Sequence, residues 1–230
     1  MKTKAFVNWS GGKDALLALY HSAYEADHIV DLLFSVINEA SGNCALHEVP
    51  SKLLKAQAKV LGLGITFAKV PDKIDNRTYQ KIIQDKCEQF FEAGYRSSVH
   101  GDIFLEDVRS FKEEQVKSTG LKSIFPLWKR PTKKLATDFI DLGFKAIVVS
   151  CEASKLDSSF CGRAFDHEFL KDLPDEVDPC GENGEFHTFC YDGPLFRNPV
   201  DFDRLELRSI KFPSPSGDSS DHEIWNQRIA

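Results

Sequence analysis

The sequence predicts an α/β fold, an open parallel sheet with helical crossovers, followed by a part of different character. Three observations lead there. Short apolar runs alternate with longer segments of helical period through the first part of the chain, as strands crossed over by helices do. The run from Ile29 to Ile37 is apolar but for Asp31 and Ser35, the character of a strand covered on both faces. From Cys151 to Asn198 the composition shifts toward Gly, Pro, Asp and Glu, so the final third has a different architecture.

Lys4 to Trp9 reads as the first strand. From Asp14 to Glu25 the apolar positions Leu16, Leu19, Tyr20 and Ala23 recur at helical spacing, which predicts a helix with one buried stripe. After the second strand, Ser41-Gly42-Asn43 marks a loop and Pro50 opens a helix carrying Leu53, Leu54, Ala56, Val60 and Leu61. Ile65 to Val70 is a strand, Tyr79 to Phe91 a helix closed by Gly94, and Ser97 to His100 a strand leading into Gly101-Asp102. Phe104 to Val116 is helical. Ile124 to Trp128, broken by Pro126, marks the boundary region between the parts. Pro131 then starts a helix before the apolar run Ala146 to Val149. A short helix follows at His167 to Leu170, then strands at Phe186 to Tyr191 and Arg204 to Ile210, the last strictly alternating. The expected organisation is a first part over 1–122, a second over 123–212 and a polar tail over 213–230.

The chain has 230 residues, of which 42% are hydrophobic and 28% charged, the balance of an ordinary globular protein. No stretch is long and apolar enough to span a membrane, and the N-terminus lacks a secretory leader, so the expected location is cytoplasmic. A net charge of −6 argues against a nucleic-acid partner. The six cysteines contain no Cys-x-x-Cys pair, so buried reduced thiols are expected rather than a zinc or redox site.

Chemistry concentrates in three places. Ser10-Gly11-Gly12-Lys13-Asp14 lies between the first strand and its helix, where glycines let backbone approach a ligand and the helix start favours an anion. Gly101-Asp102, with Glu106 and Arg109 beyond it, follows a strand on the same edge of the sheet. Asp102 there reads either as a magnesium ligand or as the cap of the next helix, and Glu106 with Arg109 reads as a surface ion pair. Asp178 to Phe189 contains Gly181-Glu182-Asn183-Gly184-Glu185, either a polar turn or a pair of glutamates converging on a cation or amine.

The loop resembles the pyrophosphate-binding loop of the PP-loop ATPases, the adenine nucleotide alpha hydrolase-like group, with Ala15 where that motif usually ends in serine. Together with His100-Gly101-Asp102-Ile103 followed by Glu106 and Arg109, Phe125-Pro126-Leu127-Trp128 and the Gly-Glu-Asn-Gly-Glu-Phe segment, it is similar to the diphthine–ammonia ligase family from residue 5 to about 192. That resemblance implies a five-stranded, Rossmann-like parallel sheet over 1–122 for nucleotide binding, a smaller C-terminal α+β part over 123–212 for substrate, and an ATP-driven, AMP-forming amidation using ATP, Mg2+ and ammonia.

The implied acceptor is diphthine on an elongation factor, or in a bacterium a small carboxylate. Lys13, Asp102, Glu182 and Glu185 are the implied catalytic residues, with Asp102 on magnesium and His187 a secondary addition. Ser10, Gly11, Gly12, Lys13, Asp14, Gly101, Ser35 and Val36 would hold the nucleotide, the backbone at Phe34 to Val36 reading adenine by fold analogy. His47 and His100 read equally as structural groups. Two other readings use the same loop, a transfer-RNA thiolase and a non-catalytic ATP sensor, and the acidic cluster argues against the sensor. A homodimer is left open.

Overall fold

The computed structural model describes residues 2–25, 28–44, 48–212 and 222–230. His47 and residues 213–221 lie outside them. The first part is a five-stranded sheet in the order β3-β2-β1-β4-β5, parallel throughout. Its strands are β1 (Thr3–Asn8), β2 (His28–Asn38), β3 (Gly64–Val70), β4 (Ser97–Val99) and β5 (Lys122–Ile124). Helices α1 (Lys13–Tyr20), α2 (Ser51–Leu61), α3 (Asn76–Glu92) and α4 (Glu106–Lys117) make the crossovers. The chain steps outward from β1 to β3, then returns to β4 on the other side of β1. The strand order therefore reverses between β1 and β4, and loops splay apart at their carboxyl ends.

Alternation along β1 divides the core. Phe6 faces one side with Phe34, Ile83, Cys87, Phe90 and Tyr95, beneath α3 and α4. Ala5 and Val7 face the other, where α1 and α2 continue into the interior of the second part. That shared core joins the two parts and seats α1 between them.

The second part begins with α5 (Thr132–Asp141) and builds a four-stranded sheet in the order β7-β6-β9-β8. Its strands are β6 (Lys145–Glu152), β7 (Phe186–Asp192), β8 (Arg204–Phe212) and β9 (His222–Ile229), with β6 antiparallel to both β7 and β9. Helix α6 (His167–Asp172) is capped by Asp166, whose carboxylate accepts from the Phe169 amide. Aromatic packing among Phe160, Phe165, Phe169 and Phe186 fills the space beneath β7.

Several elements differ from the sequence reading. The first helix is α-helical only to Tyr20, then widens into a π-helical turn over His21–Glu25. The fifth parallel strand is Lys122–Ile124, three residues too polar to announce a strand, held by pairing with β4. Residues 222–229 are not tail: β9 pairs with β6 and β8, and burial of Asn226 and Ile229 rewards that pairing. All six cysteines are buried free thiols. No helix among the described residues is long and apolar enough to cross a membrane.

Candidate active site

Residues Trp9 to Asp14 run from the end of β1 into α1, and the loop they form is clamped from two directions. Gln57, fully buried on α2, donates to the carbonyl oxygens of Gly11 (2.9 Å) and Cys190 on β7 (2.6 Å), and accepts from the Trp9 indole (2.9 Å). Gly11 also accepts from the Cys190 amide. Gly11 has φ +83°, and a Cβ there would lie 2.7 Å from Leu54, so both conformation and packing require glycine. Ser10 Oγ accepts from the Gly12 amide at 3.3 Å.

The start of α1 is partly used by the protein itself. The Lys13 amide donates to Thr188 Oγ1 on β7 (3.0 Å), leaving the amides of Asp14 and Ala15 as first-turn donors without an intrahelical carbonyl. The Lys13 side chain is 2% exposed and points into the second part rather than into the crevice. Its ammonium donates to the Cys180 carbonyl and to Asp14 Oδ2 (2.9 Å), above the Phe186 ring at 5.1 Å. Burial is the largest influence and works against that charge, but Asp14, Cys180 and Glu182 together hold the Lys13 pKa above its ordinary value. Burial lifts the Asp14 carboxyl above the usual carboxylate range, with Lys13 pulling the other way. Asp14 Oδ1 is buried and has no hydrogen-bond partner among the described residues.

Across the switch point, Asn8 donates to Ser98 Oγ and to the Val99 carbonyl, tying the ends of β1 and β4. Gly101 packs directly onto α1: a Cβ there would lie 2.8 Å from the Asp14 carbonyl carbon and 3.0 Å from the Ala15 nitrogen. Asp102 follows, and both its carboxylate oxygens accept from Lys112 Nζ at 2.7 Å. It does not cap α4, whose N-cap is Leu105 without a side-chain bond. Glu106 and Arg109 do not pair with each other: Glu106 meets Lys129 (2.9 Å) and Arg109 meets Glu113 (2.8 Å), one turn along the helix. His100 stacks on Phe125 (4.9 Å) and bonds Ser98 Oγ, and burial with nearby Lys112 holds its pKa well below the usual imidazole value.

The segment from Asp178 to Glu185 is a compact turn ahead of β7. Glu185 is buried and spent inside it, accepting from the backbone amides of Asp178 and Asn183 and from the Asn183 side chain. It presents no open carboxylate to the crevice. Glu182 reaches outward instead, accepting the amides of Ile103 (2.7 Å) and Phe104 (3.3 Å) in the loop before α4. Burial, helped by the charges of Asp14 and Asp102, outweighs the downward pull of the two amides and pushes its carboxyl up to about 7. His187 is pushed down to about 4 by burial and by Lys13.

At the end of β2, the Phe34 carbonyl accepts the Trp9 amide (2.7 Å) and the pairing with β1 ends there. Val36, the next residue whose backbone faces that side, extends past the last β1 partner. Ser35 is buried with its hydroxyl 3.8 Å from Cys44 Sγ, so its side chain is covered. The structure thus brings Asp14, Gly101, Asp102 and Glu182 to one crevice and places Ser10, Gly11, Gly12 and Val36 on its β1–β2 side. It turns Lys13 and Glu185 inward.

Family models for two diphthamide synthase domains match the two parts of this sequence. The N-terminal domain matches residues 1–123 and the C-terminal domain residues 131–212. The chain belongs to the diphthamide synthase family. Similar curated proteins include the diphthine–ammonia ligases of Schizosaccharomyces pombe (25% identical, 83% of this chain, 34% of that protein) and Bos taurus (26% identical, 86% and 82%). The Homo sapiens diphthine–ammonia ligase is 25% identical over 86% of this chain and 82% of its own. This chain therefore spans about a third of the S. pombe protein and most of the mammalian ones.

In this member of the family, the residues that sequence reasoning passed over are those that hold the loop. Gln57 had a signal: it is a polar residue on the buried stripe of α2, between Leu54 and Ala58. Thr188 and the Cys180 carbonyl had none, because their partners lie 167 or more residues away in sequence. Lys112 had a weak one, as a cation on the helix that follows Asp102.

Proposed function

We propose that this protein is an ATP-dependent ligase that amidates diphthine with ammonia, releasing AMP and pyrophosphate. The observation that carries the reading is the convergence of Asp14, Asp102 and Glu182, from three separate segments, at the switch point beside the glycine loop. The names of the similar proteins supply the acceptor and the amine.

In this reading the triphosphate lies across the start of α1, with the Asp14 and Ala15 amides as donors, and adenine meets the backbone of Val36 past the end of β1. A divalent ion suits the donor set to a limited degree. Asp14 Oδ1 is a buried carboxylate oxygen lacking a partner, and Asp102 stands across the crevice on Lys112. Among the described residues no three ligating side chains cluster, so the ion would come with the phosphates, held by Asp14 and Asp102. Bound there, Mg2+ would offset phosphate charge.

An acceptor carboxylate oxygen attacks the α-phosphorus, the bond to the bridging oxygen breaks, and pyrophosphate leaves. The acyl-adenylate then has AMP as leaving group, which a free carboxylate lacks. The lone pair of ammonia attacks the acyl carbon, AMP departs, and one proton leaves the new amide nitrogen. Glu182, with a carboxyl near 7, is matched to accept it at neutral pH. Lys13 and Glu185 act as positioning residues: the first ties α1 to the Cys180 turn, the second fixes the shape of that turn.

The test is product analysis with ATP, Mg2+, ammonium and a panel of carboxylates that includes diphthine-bearing elongation factor. AMP and pyrophosphate that form only with the diphthine protein support the reading. Formation with a small carboxylate alone moves the acceptor, and ATP binding without AMP under any condition favours a sensor.

A further inference from the structure

The loop after β5 carries an aromatic wall beside the crevice. Phe125 stacks on His100, next to Gly101, and its ring centroid lies 5.8 Å from that of Trp128. Over both rings sits the guanidinium of Arg109, 5.0 Å from Phe125 and 4.6 Å from Trp128. Arg109 and Lys112 share a face of α4, and Lys112 reaches back to Asp102, so that face borders the candidate site. The backbone of the same loop is pinned to it, because the Lys129 amide donates to the Ile103 carbonyl while the Ile103 amide donates to Glu182.

The guanidinium is braced but not used up. Its one hydrogen bond runs from Nε to Glu113, so Nη1 and Nη2 carry no partner among the described residues. Two aromatic rings at 60° to each other flank the guanidinium, and its open end offers parallel N–H donors at the spacing of a carboxylate. A solvated surface arginine would not need two aromatic faces to hold it. A purely structural one would turn its terminal nitrogens to a backbone carbonyl, as Arg96 does with Phe91 and Tyr95.

We propose that Arg109, braced on Phe125 and Trp128, is the binding residue for the acceptor's carboxylate and selects carboxylate over amide. This rests on the ligase reading and adds to it the residue that distinguishes substrate from product. The open fork takes the carboxylate before adenylation. Once the amide has formed, the charge is gone and the product is held less tightly, which aids release.

The experiment compares binding of diphthine-bearing and diphthamide-bearing elongation factor to wild type, Arg109→Lys and Arg109→Met, with ATP affinity measured alongside. Wild type is expected to favour the diphthine form by about tenfold, the worth of one charge-assisted contact. Arg109→Met should bind both forms alike with ATP affinity unchanged, and Arg109→Lys should recover part of the preference. On wild type, dicarbonyl modification of Arg109 should be slowed by the diphthine form and not by the diphthamide form. Retained preference in Arg109→Met, or equal protection by both forms, overturns the inference while leaving the ligase reading in place if wild type still amidates diphthine. A wild type that neither amidates diphthine nor distinguishes the two forms overturns both.

Discussion

The Glu182 carboxylate accepts the Ile103 amide at 2.7 Å, and this one bond spans the crevice from the turn before β7 to the loop after β4. It fastens the smaller part of the chain over the place where the parallel sheet reverses its strand order. The same carboxyl has its pKa raised by burial, so the fastening is coupled to pH.

That coupling has a definite sign. Burial raises the folded value to about 7 from an ordinary 4.5, so folding takes up a proton between those values. The contribution of protonated Glu182 to stability is complete below the unfolded value and is lost as the pH rises through about 7. In urea titrations, wild type should lose stability relative to Glu182→Gln between about pH 5 and about pH 8. Parallel pH profiles for the two proteins would show that Glu182 does not titrate as described.

Gln57 should behave as a keystone of the glycine loop. Replacing it by leucine leaves the Trp9 indole and the Cys190 carbonyl buried without that partner, a loss of about 2–4 kcal/mol by denaturant unfolding. ATP affinity should fall as well, because the Gly11 carbonyl is no longer held by α2. An unchanged midpoint would mean that β7 alone holds the loop.

Lys13 should matter to stability and turnover together. Lys13→Met removes the cation beside Asp14 and leaves a partly buried carboxylate without its counter-charge, which costs about 3–5 kcal/mol. The expected signature is a lowered unfolding midpoint that recovers when Asp14 is also replaced by asparagine, measured as a double-mutant cycle. Additive losses would separate the two residues.

Much of this was legible in the sequence, and the part that was not has a physical reason. The largely apolar run of β2 and the helical spacing of α2 and α3 were legible, because a sheet covered on both faces asks for apolar strands and a helix with one buried face repeats every three to four residues. Strand β5 left none, since three residues paired on one edge need no apolar pattern, and β9 is cut off by the polar segment before it. The glycine loop, Asp102 and Glu182 stood out by residue type and position. The inward turn of Lys13 and the internal bonding of Glu185 did not, because both depend on where β7 and the Cys180 turn lie against α1. Sequence names the chemical groups at such a site more readily than it reveals which are already paired.

In the proposed reaction the acceptor carboxylate is adenylated before ammonia attacks. The most direct measurement labels that carboxylate with heavy oxygen, supplies ATP, Mg2+ and ammonium, and follows the label by mass spectrometry. Adenylation predicts that one labelled oxygen leaves on the phosphate of AMP and that the amide product keeps the other. Label confined to the acceptor, or label on inorganic phosphate with ADP as the nucleotide product, would contradict it.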